Sequence, residues 1–165
     1  MRHFIQGFCC LLLLTVSATT FAKDKSNKKE EQKRHNAFTK KMKNIALVGA
    51  FTIDGHQSSA KKERYEIKSA KRVKGDDWII TARIKYGKTD LELPVAVKVF
   101  WAGDTPVITM TNMEIPLLGT FTTRVMIYEN RYAGTWQHGK AGGLMHGHIE
   151  KIKEQKKEKP KSKSK

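Results

Sequence analysis

Three of the six histidines lie in one stretch, RYAGTWQHGKAGGLMHGHIEK, residues 131–151. Imidazoles at suitable spacing bind zinc, copper or nickel. If the stretch is extended, His146 and His148 share a face, with Cβ atoms about 7 Å apart. A turn centred on 140–142 would set His138 opposite Leu144 or His146, within reach across a ladder. Glu150 falls on the face of His148 and would add a carboxylate. The competing reading is a plain hairpin. Gly139, Gly142, Gly143 and Gly147 surround these histidines, and glycine within strands marks bends and close backbone approach. Histidines on the outside of such a hairpin are simply solvated. The hairpin reading takes precedence, with a metal site of His138, His146 and His148 as the alternative.

Other residues suited to chemistry give less. Met110, Met113, Met126 and Met145 are soft ligands in principle, but methionine more often fills gaps in a core. The chain has no Gly-x-Ser-x-Gly, no His-Glu-x-x-His and no phosphate-binding loop. Asp76, Asp77, Asp104 and His56 sit in turn-like contexts, where aspartate caps backbone groups. The expectation is a protein that is not an enzyme and uses no cofactor.

The elements that must position these residues are strands. In DLELPVAVKVFW, residues 90–101, Leu91, Leu93, Val95, Val97, Val99 and Trp101 recur at a spacing of two, which puts them on one face of a strand. Pro94 has no amide hydrogen to give a ladder, so an edge, bulge or late start is expected near it. In WIITARIKYG, Trp78, Ile80, Ala82, Ile84 and Tyr86 alternate in the same way. RYEIKSAKRV sets Tyr65, Ile67 and Ser69 against charged neighbours, and KGDD reads as a hairpin turn. Further strands are expected in IALVGAFTID, PVITMTNMEI, TFTTRVMIYEN, RYAGTWQHG and LMHGHIEKI. About eight strands with short connections form a meander, and closing it into a barrel removes exposed edges.

Charge is concentrated in the flanks. Residues 23–44 carry nine Lys and Arg against three acids, and residues 150–165 carry eight Lys against three. Both are too poor in apolar residues to fold alone. They are read as flexible basic extensions: 23–44 a basic linker, partly helical around 30–42, and 153–165 a disordered tail. Lysine arrays attract anionic polymers or lipid surfaces without sequence preference. The tail has no aromatic residues for base stacking, so sequence-specific nucleic-acid binding is not expected. Residues 1–22 begin with Arg2 and His3, run through an apolar stretch and end in small residues. This is the pattern of an export signal cleaved after Ala22, with an N-terminal membrane anchor as the alternative. Both cysteines, Cys9 and Cys10, fall within it. The processed product, periplasmic or extracellular, would fold on its core alone, as a domain over 45–152.

With LVGAF at the start, a meander of about eight strands and a YAGTW…GG…G hairpin at the end, the chain resembles the lipocalin-like (calycin) barrels. It is also similar to small secreted bacterial proteins with the same YAGTW ending. The resemblance covers most of 45–152, with Gly49-x-Phe51 where lipocalins usually have Gly-x-Trp. It implies an interior able to hold one small apolar ligand. The inward residues Trp78, Ile80, Val97, Val99, Trp101 and Trp136 are the expected lining. The alternative function is an envelope interaction protein that adheres to anionic surfaces through its tails.

Overall fold

The computed structural model describes residues 15–86, 89–116 and 118–152. One helix, α1 (Thr15–Lys41), precedes eight strands: β1 (Ile45–Phe51), β2 (Lys61–Lys74), β3 (Asp77–Tyr86), β4 (Thr89–Ala102), β5 (Thr105–Ile115), β6 (Gly119–Tyr128), β7 (Arg131–His138) and β8 (Ala141–Lys151). Each strand pairs antiparallel with the next, and β8 pairs with β1, so the meander closes into a barrel without free edges.

The basic flank differs from its expectation. Residues 23–41 are continuous helix rather than flexible chain with a short helical piece. Lys, Glu, Gln, Arg and Ala are strong helix formers. Glu31 Oε1 lies 3.8 Å from His35 Nδ1, and Gln32 Nε2 donates to Asn36 Oδ1 at 2.9 Å, both one helical turn apart. Lys40 and Lys41 close the last turn, where positive charge complements the carbonyl end of the helix. Contacts divide the chain into two compact units, one up to Ala37 and one from Phe38 onward. The second unit therefore includes Phe38 and Met42 as well as the barrel.

The alternation read in β4 is realised: Val95, Val97 and Val99 are buried, while Glu92, Pro94, Ala96, Lys98 and Phe100 are exposed. Pro94 lies within an unbroken β3–β4 ladder, opposite Thr81. On its other side, the β4–β5 register starts only at Lys98↔Thr109, so the missing N–H falls beside a stretch of β4 with no β5 register partner among the described residues. A register shift between Ile67 and Ser69 turns the inward set of β2 from odd to even. Ala70, not Ser69, is thus the buried residue there, because one extra residue flips every later side chain.

The outside is ionic. Arg83 grips Asp90 with two bonds of 2.6 and 2.7 Å, Lys98 Nζ is 2.6 Å from Asp77 Oδ1, and Arg64 meets Glu150 at 3.2 Å. Each exposed pair contributes little stability, about 0–1 kcal/mol.

The two barrel ends differ. One end carries the β2–β3, β4–β5 and β6–β7 turns and is filled. Phe38, Met42, Ile45, Trp78, Val99 and Ile127 are nearly inaccessible and belong to one apolar cluster. Phe38 makes edge-to-face contacts with Trp78 at 5.1 Å and Trp101 at 5.8 Å, a favoured aromatic geometry. The opposite end is bounded by the β1–β2 loop and the β5–β6 and β7–β8 turns.

Candidate functional site

That opposite end holds a cavity of about 630 Å3. Phe51, Tyr65, Phe121, Trp136 and His138 supply aromatic lining, with Leu118 and Ile53 at the mouth. The rings are mutually braced. Phe51 meets Trp136 edge-to-face at 5.5 Å, and Phe121 stacks on His138 at 4.4 Å. Lys61, Lys62, Glu63, Arg64, Glu66 and Arg83 also border the cavity.

Glu63 is fixed from across the barrel. Tyr132 Oη donates to Glu63 Oε1 at 2.7 Å. Tyr132 pairs with Gly147, Gly147 with Gly49, and Gly49 with Glu63, so the four residues form one row over β7, β8, β1 and β2. The two glycines clear the path. A Cβ at Gly147 would stand 2.7 Å from Tyr132 Cε1, and one at Gly49 would stand 2.6 Å from the hydroxyl. Trp136 repeats the device one step nearer the mouth. It pairs with Gly143, and its Nε1 passes that glycine to donate to the Thr52 carbonyl at 3.1 Å. The glycine-rich motif of 131–151 thus builds the barrel seam and one wall of the cavity.

The carboxyl marks a boundary, since Tyr132 belongs to the solid core while Glu63 borders the cavity. Burial raises the Glu63 pKa above its ordinary value. Hydrogen bonding from Tyr132 and Tyr65 and the charge of His146 oppose this. Burial, reinforced by Glu63, pushes the Tyr65 and Tyr132 phenols upward, so both stay protonated donors at neutral pH. Glu63 Oε2 is buried as well, with the Tyr65 phenol as the second donor to the carboxyl.

Two predictions arise here. Removing the Tyr132 hydroxyl with Tyr132→Phe takes the donor from a buried acceptor and is expected to cost about 1–3 kcal/mol in chemical denaturation. The second concerns pH. Because the folded pKa of Glu63 lies above its unfolded value, its contribution favours folding at low pH and is lost as pH rises through the folded pKa. Glu63→Gln keeps an oxygen for Tyr132 and removes the titration. The melting temperature of the variant relative to the parent should therefore climb as pH rises from the ordinary carboxylate range through the raised folded pKa. A difference that stays constant with pH would contradict the assignment.

The residues singled out by sequence fall in three places. Trp78, Ile80, Val97 and Val99 are buried in the filled end, and Trp101 packs against them beside Phe38. They point inward as expected, but Phe38 and Met42 occupy the space a ligand would need. Only Trp136 of the six borders the cavity. The three histidines do not converge. The tight turn sets His138 opposite Ala141, on the inner face against Phe121. His146 and His148 are exposed on the outer face of β8. His148 pairs with Glu150 at 3.1 Å, and together with Arg64 it holds that carboxyl below its ordinary pKa. Among the described residues no group of three or more His, Cys, Asp or Glu side chains is placed to hold a metal ion. The difference is one of register, since pairing His138 with Ala141 in place of Leu144 puts it on the opposite face from His146 and His148. Glu63, Tyr65, Phe51 and Phe121 were not singled out. The signal for Glu63 was a carboxylate in step with Tyr65 and Ile67 on the inward face of β2.

The chain matches no protein-family model, and comparison with curated proteins and with solved structures finds no match to either.

Proposed function

We propose that this protein is an exported, non-catalytic, lipocalin-like binding protein that holds one small, largely apolar molecule in the open end of its barrel. The observation that carries the reading is the aromatic cavity of about 630 Å3, within the roughly 300–1,000 Å3 typical of small-molecule sites. Braced rings give apolar area that loses water on binding, and their mutual contacts keep the pocket formed in advance. Charged residues at its border, Lys61, Lys62, Glu63, Arg64, Glu66 and Arg83, supply polar groups that orient a ligand. Cleavage of the leader after Ala22 would leave α1 beginning at Lys23, and N-terminal sequencing of the exported product tests that part.

Binding itself can be read from fluorescence. Trp136 lies in the cavity wall while Trp78 is nearly inaccessible in the filled end. Titration with a panel of lipids and hydrophobic dyes is expected to change the emission of the parent protein. Trp136→Phe should remove most of that change. Emission that no member of the panel alters would end the proposal.

A further inference from the structure

We propose that the cavity takes a small amphiphile with an anionic head group, and that Lys61 and Lys62 hold this head at a side portal where β2 parts from β3. This rests on the binding reading above and names the ligand's chemistry and its way in. The portal follows from register. Every strand has two neighbours, but the β2–β3 ladder runs only as far as Glu66↔Arg83. Beyond that pair, residues 61–65 of β2 keep β1 as a partner and have no β3 partner among the described residues. The rest of β3 continues with β4 alone, from Ile84↔Leu91 to Tyr86↔Thr89. The border of the cavity agrees with this. It takes in six consecutive residues of β2, 61–66, together with Arg83. Successive residues of a strand point to opposite faces, so a cavity confined to the inside would meet only every second one. This cavity reaches past the edge of β2 and opens through the wall as well as at the end.

The charges at that portal are not equally committed. Glu66 lies 3.4 Å from Arg64 Nε and 3.9 Å from Arg83. Arg64 also meets Glu150 at 3.2 Å, and Arg83 is forked onto Asp90. Glu63 is turned to two phenols, Tyr132 and Tyr65. Each acid at the border is thus already met, and both arginines are neutralised. Lys61 and Lys62 differ: both are exposed, and neither enters an ion pair among the described residues. Lys61 pairs with Phe51 and shares its inward face, beside the aromatic lining. Lys62 pairs with Ala50 and stands on the outside. The two ammonium groups therefore flank the edge of β2 from either side. An anion placed there gains from both, with the aromatic rings behind it for the apolar body. An ammonium head would be repelled by both lysines, and a hydroxyl would gain less than an anion from their N–H donors. The net charge of +16 adds a long-range attraction for anions.

The test uses the full exported chain and five probes: decanoate, decyl phosphate, decanol, decylamine and acetate. Affinities are measured by calorimetry at neutral pH for the parent, Lys61→Gln, Lys62→Gln and Lys140→Gln. Lys140 is a turn lysine at the same end that does not border the cavity. In the parent, decanoate or decyl phosphate is expected to bind about tenfold tighter than decanol, with decylamine weaker than decanol. The tighter of the two anions names the head. Acetate should bind far more weakly, since it lacks the apolar body. The preference for an anion should shrink in high salt, because both lysines are exposed. Lys61→Gln and Lys62→Gln should each weaken the anionic probes about threefold and leave decanol within about twofold. Lys62→Gln decides the portal, since a head held inside the barrel would not reach the outer face. Equal binding of the anions and decanol to the parent, acetate binding as tightly as decanoate, or an anion affinity no more affected by Lys62→Gln than by Lys140→Gln overturns this inference and leaves the binding reading standing. Failure of every ten-carbon probe, together with a silent dye panel, overturns both. All three lysines are exposed, so the variants are expected to fold as the parent does.

Discussion

Replacing Gly147 by alanine is expected to cost about 4 kcal/mol or more, at the upper end of single-substitution effects and enough to unfold a marginally stable domain. Gly147 lies where β8 meets β1 and where the Tyr132 ring crosses the seam. An added methyl would meet the Val48 carbonyl oxygen, stand 2.6 Å from Gly49 Cα and 2.7 Å from Tyr132 Cε1. Two of those three neighbours are backbone and cannot swing aside, so relief requires the strands to part. Parting them would break the ladder that closes the barrel and pull Tyr132 away from Glu63. Gly139, in the turn of the same hairpin, is the internal control. It has φ of +59° and nothing within 4 Å of where a Cβ would sit, so Gly139→Ala meets only backbone strain, about 1 kcal/mol. Denaturant midpoints of the two variants, measured side by side, check the contrast. Equal, mild losses would show that the seam is looser than described.

How much of this was legible in the sequence differs with the range of the interaction. Strand β4 could be read directly, because alternation is local and every second residue from Leu91 to Trp101 is apolar. The hairpin of 131–151 was legible as a hairpin from its glycines. Their purpose was not, because the partner of Tyr132 is Glu63, three strands away across a closure that no local pattern reports. The bulge in β2 also escaped, since Ser69 and Ala70 are both small enough to sit inside or outside. Register in the last hairpin depends on where the turn falls, and pairing His138 with Ala141 rather than Leu144 separates it from His146 and His148.

The site itself was half legible. Inward-facing residues were identified correctly in β4, in β7 and, for Trp78, Ile80 and Ala82, in β3. Which of them face empty space is a matter of volume, and volume depends on what enters from outside the strand pattern. Phe38 and Met42 belong to a charged flank too poor in apolar residues to fold alone, yet both are almost fully buried. They decide that the cavity lies at the other end. Glu63 was obscured for a related reason. In a strand crowded with Lys, Arg and Glu, one inward carboxylate looks like another solvated charge until the phenol opposite it is seen.

Phe38 is therefore the position where the sequence reading and the structure diverge most in consequence. Its ring is 3 % exposed and abuts two indoles, Trp78 and Trp101. Phe38→Ala removes a buried ring from a cluster whose other members are fixed by the barrel, so the void cannot collapse. The expected loss is about 3–5 kcal/mol, as large as for a residue within the strands. A dispensable flank would instead lose less than about 0.5 kcal/mol. Trp78 is 1 % exposed and lies against the vacated space, so its emission should shift to the red as water reaches it, giving a second readout independent of stability. Affinity for a cavity ligand, measured well below the lowered melting temperature, should stay within about twofold of the parent, because the cavity lining at the opposite end does not include Phe38. Trp136→Phe should do the reverse, altering affinity with a smaller effect on stability. Loss of binding in Phe38→Ala at a temperature where the barrel is still folded would mean that the two ends are coupled and that the filled end takes part in recognition.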